Sequence, residues 1–148
     1  MIGKSLQMPN LDQIRRYIEL VSHDCKVVRL LPPRTESADY SDWKVALLYY
    51  MACIYMKALG ISRGLSHQDH YTIKQWLNSS RDLLRITKPY RKLEERSRDA
   101  RYEGRVFDAL EMSQAKQWFE EIQTHVLKLL RQDGLDAKPI EIGTHWVP

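Results

Sequence analysis

The stretch DWKVALLYYMACIYMKALG, residues 42–60, decides the fold. Its apolar positions run nearly all the way round a helix instead of along one stripe, which is the pattern of a helix buried on every side. The unbroken apolar run within it, Val45 to Met56, is twelve residues bracketed by Lys44 and Lys57. A bilayer needs about 20. The expectation is therefore the central helix of a protein core, with no membrane as partner. Asp39 and Asp42 stand ahead of it, where acids suit the positive end of a helix. Gly60 is placed to close it as a left-handed cap.

Working outward, Asn10 can cap an earlier helix in which Leu11, Ile14, Tyr17, Ile18, Val21, Cys25, Val28 and Leu31 recur at spacings of three and four, until Pro32-Pro33 stops it. On the other side, Ile61 to Leu65 read as a short loop and Ser66 as the cap of a third helix reaching about Leu84. Pro89 fits the first turn of a fourth helix, which stops near Gly104. Ser113 opens a fifth, with Ala115, Phe119, Ile122, Val126, Leu129 and Leu130 on one side and Gly134 after it. The fold class expected is all-α: one bundle domain of about five helices over residues 1–134. A loosely ordered tail, residues 135–148, follows, with at most a short strand at Ile140 to Ile142.

The bulk numbers agree. The chain has 148 residues, 43% of them hydrophobic and 28% charged, enough to bury a real core in one soluble domain. Cys25 and Cys53 lie on helical patterns and form no metal motif, so they read as buried free thiols. The amino terminus, MIGKSLQMPN, lacks the apolar core of a signal peptide, and a cytoplasmic protein is expected.

Charge singles out one segment. Arg81 to Arg105 holds nine Arg or Lys and five Asp or Glu, and that surplus of four equals the surplus of the whole chain. Arg91, Arg98, Arg101 and Arg105 are spaced seven, three and four apart, so they line one side of the fourth helix. Arginine suits phosphate because its planar fork makes paired, charge-assisted hydrogen bonds. Glu94, Glu95 and Asp99 are interleaved with them, and a solvated face laced with weak ion pairs is the competing explanation.

Other chemistry is thinly supported. His67 and His70 are three apart, but the further ligands a zinc site needs are not supplied by any paired motif. GISRG does not fit a phosphate-binding loop, and Ser79 and Ser80 have no triad partners nearby in sequence. The aromatic set Trp43, Tyr49, Tyr50, Tyr55, Trp76 and Trp118 falls at helical spacings and reads as core. No cofactor and no metal are expected.

Read together, DWKVALLYYMACIYMKALG, LSHQDHY and PYRKLEERSRDARYEG resemble the HEPN superfamily of small α-helical, RNA-associated domains, over roughly residues 39–110. The resemblance implies a bundle of four to five helices that usually dimerises. In its ribonuclease members an arginine steadies a phosphate while a histidine, after four to six intervening residues, moves a proton. Placing that arginine on Arg98 puts Glu103, Gly104 and Arg105 where the histidine belongs, and Glu103, an exposed carboxylate among arginines, is a poor proton acceptor. The literal spacing recurs at Arg16 to His23 and Arg63 to His70, away from the family's position. The resemblance thus implies RNA or nucleotide binding by Arg98, Arg101, Tyr102 and Arg105, with His67 or His70 reaching the cleft. Arg98 and Glu103 are the catalytic candidates for any metal-independent ribonuclease activity. It further implies a homodimer, and a toxin–antitoxin or phage-defence setting with an antitoxin as a protein partner. The alternative is a non-catalytic helical module that holds a partner protein on its basic face.

Overall fold

A computed structural model describes residues 8–65 and 69–140, and these are all-helical with no strand among them. The five helices are α1 (Met8–Leu30), α2 (Ser41–Ser62), α3 (His70–Ser79), α4 (Leu84–Glu103) and α5 (Ala109–Gln132), with a single 3₁₀ turn, Arg81–Leu83, between α3 and α4. The expected all-α bundle is what the chain forms.

Helix α2 is the axis, packed against α1, α3, α4 and α5. It is 22 residues, longer than its apolar run, and by length and composition it passes for a membrane span. Its most apolar window is nevertheless 78% buried inside the bundle. Val45, Leu48, Met51, Tyr55, Met56 and Leu59 are fully covered. Both cysteines are buried and neither is in a disulfide.

Several predicted boundaries move, each for a local reason. Helix α1 starts at Met8, so Asn10 lies inside it instead of capping it. Gly60 is an interior, buried residue of α2. The left-handed residue is Gly64, at φ +80°, where the Leu65 N–H reaches the Gly60 carbonyl and the Gly64 N–H that of Ile61. That paired closure needs a positive φ one residue past the cap, Arg63, and only the second glycine sits there. Helix α3 is capped by Asp69, whose carboxylate accepts the Thr72 N–H at 2.7 Å. The predicted cap Ser66 lies outside the described residues, as does His67. Instead of reaching Leu84, α3 ends at Ser79, because Ser80 turns extended.

Pro89 is the sixth residue of α4, not a first-turn residue. It forgoes one bond to the carbonyl of Arg85, an exposed residue, and buries its ring. Helix α5 begins four residues before Ser113, at a reciprocal cap: the Asp108 carboxylate accepts the Glu111 N–H, and Glu111 accepts the Asp108 N–H. The tail is less loose than expected over its first residues. Leu135 is buried, and Ile140 exchanges hydrogen bonds with the Gln123 side chain. Residues 141–148, and with them most of the suggested strand, lie outside the described residues.

Candidate functional site

Along α4, Ile86, Tyr90, Leu93, Ser97 and Ala100 recur every three or four residues and face the core. That pattern leaves the charged residues of the same helix on its two flanks, where the structure separates them into three settings.

The first is a groove of about 230 Å³ between α3 and α4, lined by Lys74, Leu77, Tyr90, Arg91, Glu94 and Arg98 among others. Glu94 is the hub and is only 5% exposed. Lys74 Nζ lies 2.6 Å from its Oε1, Arg98 lies 3.5 Å from the same oxygen, and the Tyr49 hydroxyl donates to its Oε2 at 3.2 Å. His70 Nδ1 is 2.9 Å from that hydroxyl, and its ring stacks on Tyr49. A phenol has one proton to donate, so with Tyr49 giving it to Glu94, His70 donates from Nδ1 to the hydroxyl oxygen. Behind them, the Tyr90 hydroxyl meets Cys53 Sγ at 3.2 Å. Burial raises the pKa values of Tyr90, Tyr49 and Cys53, so all three stay neutral at ordinary pH.

The second setting is the turn from α4 into α5. Gly104 takes φ +62°, which brings Arg105 back over the helix end. Arg105 pairs there with Asp99 at 3.2 Å and with Glu111, above the Phe107 ring. Arg96 similarly ties α4 to α5, donating to the Glu111 carbonyl and lying 4.5 Å from the Trp118 ring centre. Both arginines hold the turn together.

The third is a pocket of about 420 Å³ between the start of α2 and the end of α4, lined by Asp42, Trp43, Ala46, Tyr50, Arg101 and Tyr102 among others. Arg101 donates from Nε to the Ser97 carbonyl, and its guanidinium lies 5.2–5.5 Å from the ring centres of Tyr102, Tyr49 and Tyr50. Among the described residues, no carboxylate oxygen lies within 4 Å of it. Tyr102 is 76% exposed and Trp43 58%.

The predicted residues are thus divided. Arg98 leans on Glu94 in the groove; Arg101 and Tyr102 share the α2–α4 pocket; Arg105 is engaged in the turn; Glu103 is exposed next to Gly104. His70 does reach this end of the molecule, and Tyr49 links it to both Glu94 and Arg101. Arg63, the other arginine spaced suitably from His70, is instead held by Asp82 and Asp133. Trp43 and Tyr50 are a correction: they were expected in the core and are exposed. Their seven-residue spacing, continued at Lys57, was the available signal, since the lysine marks the face of α2 nearest solvent.

Among the described residues no group of three His, Cys, Asp or Glu is placed to hold a metal. Comparison of the chain with protein-family models, curated proteins and solved structures finds no match.

Proposed function

We propose that the protein binds RNA, or another phosphate-bearing ligand, at the carboxyl end of α4, as a HEPN-like bundle. The observation that carries this reading is Arg101. It is a guanidinium held in place by a carbonyl and three tyrosine rings, with no carboxylate within 4 Å among the described residues, beside an open pocket. A cation so placed retains its field and its free N–H groups for an anion. Arg98, 56% exposed and paired with Glu94 only at 3.5 Å, adds a second charge one turn away. Two copies brought together as a homodimer would double that field.

The reading is binding more than cleavage. For a proton-transfer step, His70, hydrogen-bonded to Tyr49, is better positioned than Glu103. A toxin–antitoxin or phage-defence setting belongs to the same proposal, as does a cytoplasmic location.

The test is the affinity of purified protein for a short RNA. Arg98→Ala with Arg101→Ala should weaken it at least tenfold, and unchanged affinity would sink the nucleic-acid reading. Incubation with chelator separates binding from metal-independent cleavage, because intact RNA there leaves binding alone. A second reading has its own support. Exposed Trp43 and Tyr102 beside Arg101 are the residue types that anchor protein interfaces, so the same end would suit an acidic protein partner such as an antitoxin.

A further inference from the structure

We propose that the pocket between the start of α2 and the end of α4 is a subsite for one unpaired nucleobase, so that the protein prefers single-stranded to double-stranded RNA. This rests on the nucleic-acid reading above and adds to it the residues of α2, which charge alone would not select.

Size comes first. A volume of about 420 Å³ lies within the range of roughly 300–1,000 Å³ in which small-molecule sites fall. Shape follows from the residue types. Trp43, Tyr50 and Tyr102 supply flat faces, and Ala46 and Ala100, both buried, stop at Cβ and leave room between the helices for a ring. Trp43 and Tyr102 remain largely wet in the free protein, so a stacked ring would remove apolar surface from water without first displacing a protein neighbour.

Electrostatics then distinguishes a base from a phosphate. The pocket holds one carboxylate, Asp42, and one guanidinium, Arg101. Asp42 uses Oδ1 to accept the Trp43 N–H at 2.8 Å, and its Oδ2 has no protein partner among the described residues. A phosphate inside the pocket would be attracted by Arg101 and repelled by Asp42. A neutral ring with a polar edge gains from both: an exocyclic amino group donates to Asp42, while the adjoining phosphate stays at the rim on Arg101. An apolar side chain from a protein partner would bury both charges without new hydrogen bonds, which is costly. Arg101 is already immobilised by its rings and the Ser97 carbonyl, so it loses little freedom on binding. In a duplex the base faces are stacked on one another and cannot enter; in a single strand they can be splayed onto aromatic rings.

The experiment measures fluorescence anisotropy with a labelled single-stranded RNA octamer and with the same sequence in a duplex, over a series of salt concentrations. Wild-type protein should favour the single strand by about tenfold, the scale of one stacked base. Trp43→Ala and Tyr102→Ala should each remove most of that preference while leaving the salt dependence unchanged, because stacking releases no counterions. Trp43→Phe should restore much of it. Arg101→Ala should instead lower the slope of log K against log salt by about 0.7, the value for one phosphate of a single strand. Thermal melts of each variant confirm folding. Equal binding of both RNAs, untouched by Trp43→Ala, overturns the subsite and leaves the RNA reading standing. No RNA binding by wild type overturns both. If Trp43→Ala changes sedimentation but not RNA affinity, the pocket is a protein interface and the subsite is again overturned.

Discussion

In the groove between α3 and α4, Glu94 is enclosed by Lys74, Arg98 and the Tyr49–His70 pair. Some seven residues further along α4, Arg101 rests on the same Tyr49 ring with no carboxylate within 4 Å among the described residues, and opens onto Trp43 and Tyr102. Both regions draw on arginine, tyrosine and an acid from the same helices. In the groove the buried charge, Glu94, is satisfied inside the protein, and its chemistry is that of a fold. In the pocket the arginine is fixed but not neutralised, and the chemistry is that of a site. Counting charges along α4 cannot separate the two; the partner of each charge does.

The comparison can be broken first with alkali. Tyr49, Tyr90 and Cys53 behind Glu94, and Tyr55 beside Phe119, have pKa values raised by burial. Their neutral forms are favoured in the fold, so the stability they contribute is fully present below the unfolded values of 9.0 for the thiol and 10.0 for the phenols. It is lost as pH rises beyond them. The cost is about 1.4 kcal/mol per group for each pH unit above its unfolded pKa. Melting temperature should be flat from neutrality to about pH 9 and fall steeply above it; a melting temperature that stays flat well above about pH 10 would mean that these groups are solvated and the groove is wet.

Removing the hub comes next. Glu94→Ala should lower stability by about 2 kcal/mol, through a lost charge-assisted hydrogen bond and a buried Tyr49 hydroxyl left short of an acceptor. Urea denaturation measures it. The affinity of the folded fraction for RNA should stay within about twofold. A stable variant with lost binding would invert the assignment of the two regions.

Arginine substitutions sharpen the contrast. Arg101→Ala should reduce RNA affinity about tenfold, equivalent to about 1.4 kcal/mol, with little change in melting temperature. Arg105→Ala should do the reverse and by less. It breaks half-exposed pairs with Asp99 and Glu111, worth roughly 1 kcal/mol or less, and should leave binding nearly unchanged. Equal effects at the two positions would dissolve the distinction drawn from their partners.

What could be read in the sequence follows the physics of each signal. The α2 core and the α5 stripe come from periodicity, which burial imposes directly, and the end of α1 from Pro32-Pro33, which cannot continue a helix. Caps were less legible, since Gly60 and Gly64, or Ser66 and Asp69, are equally good candidates until a hydrogen bond chooses between them. For the site, the basic end of α4 was visible as surplus charge. Its division into Arg98, Arg101 and Arg105 was not, because the deciding neighbours come from α2, α3 and the α5 cap. Trp43 and Tyr50 were nearly hidden by their own helix: where almost every position is apolar, only the lysine that continues their spacing, Lys57, tells the face that opens from the faces that pack.

The most direct measurement is an NMR titration of ¹⁵N-labelled protein with a single-stranded RNA octamer, following the Nε–H signals of Arg101 and Arg105 and the indole N–H of Trp43. Arg101 and Trp43 should shift together and saturate together, with Arg105 nearly still. Shifts confined to Arg105 and the α3–α4 groove, with Arg101 and Trp43 unmoved, would contradict the assignment of the site to the α2–α4 pocket.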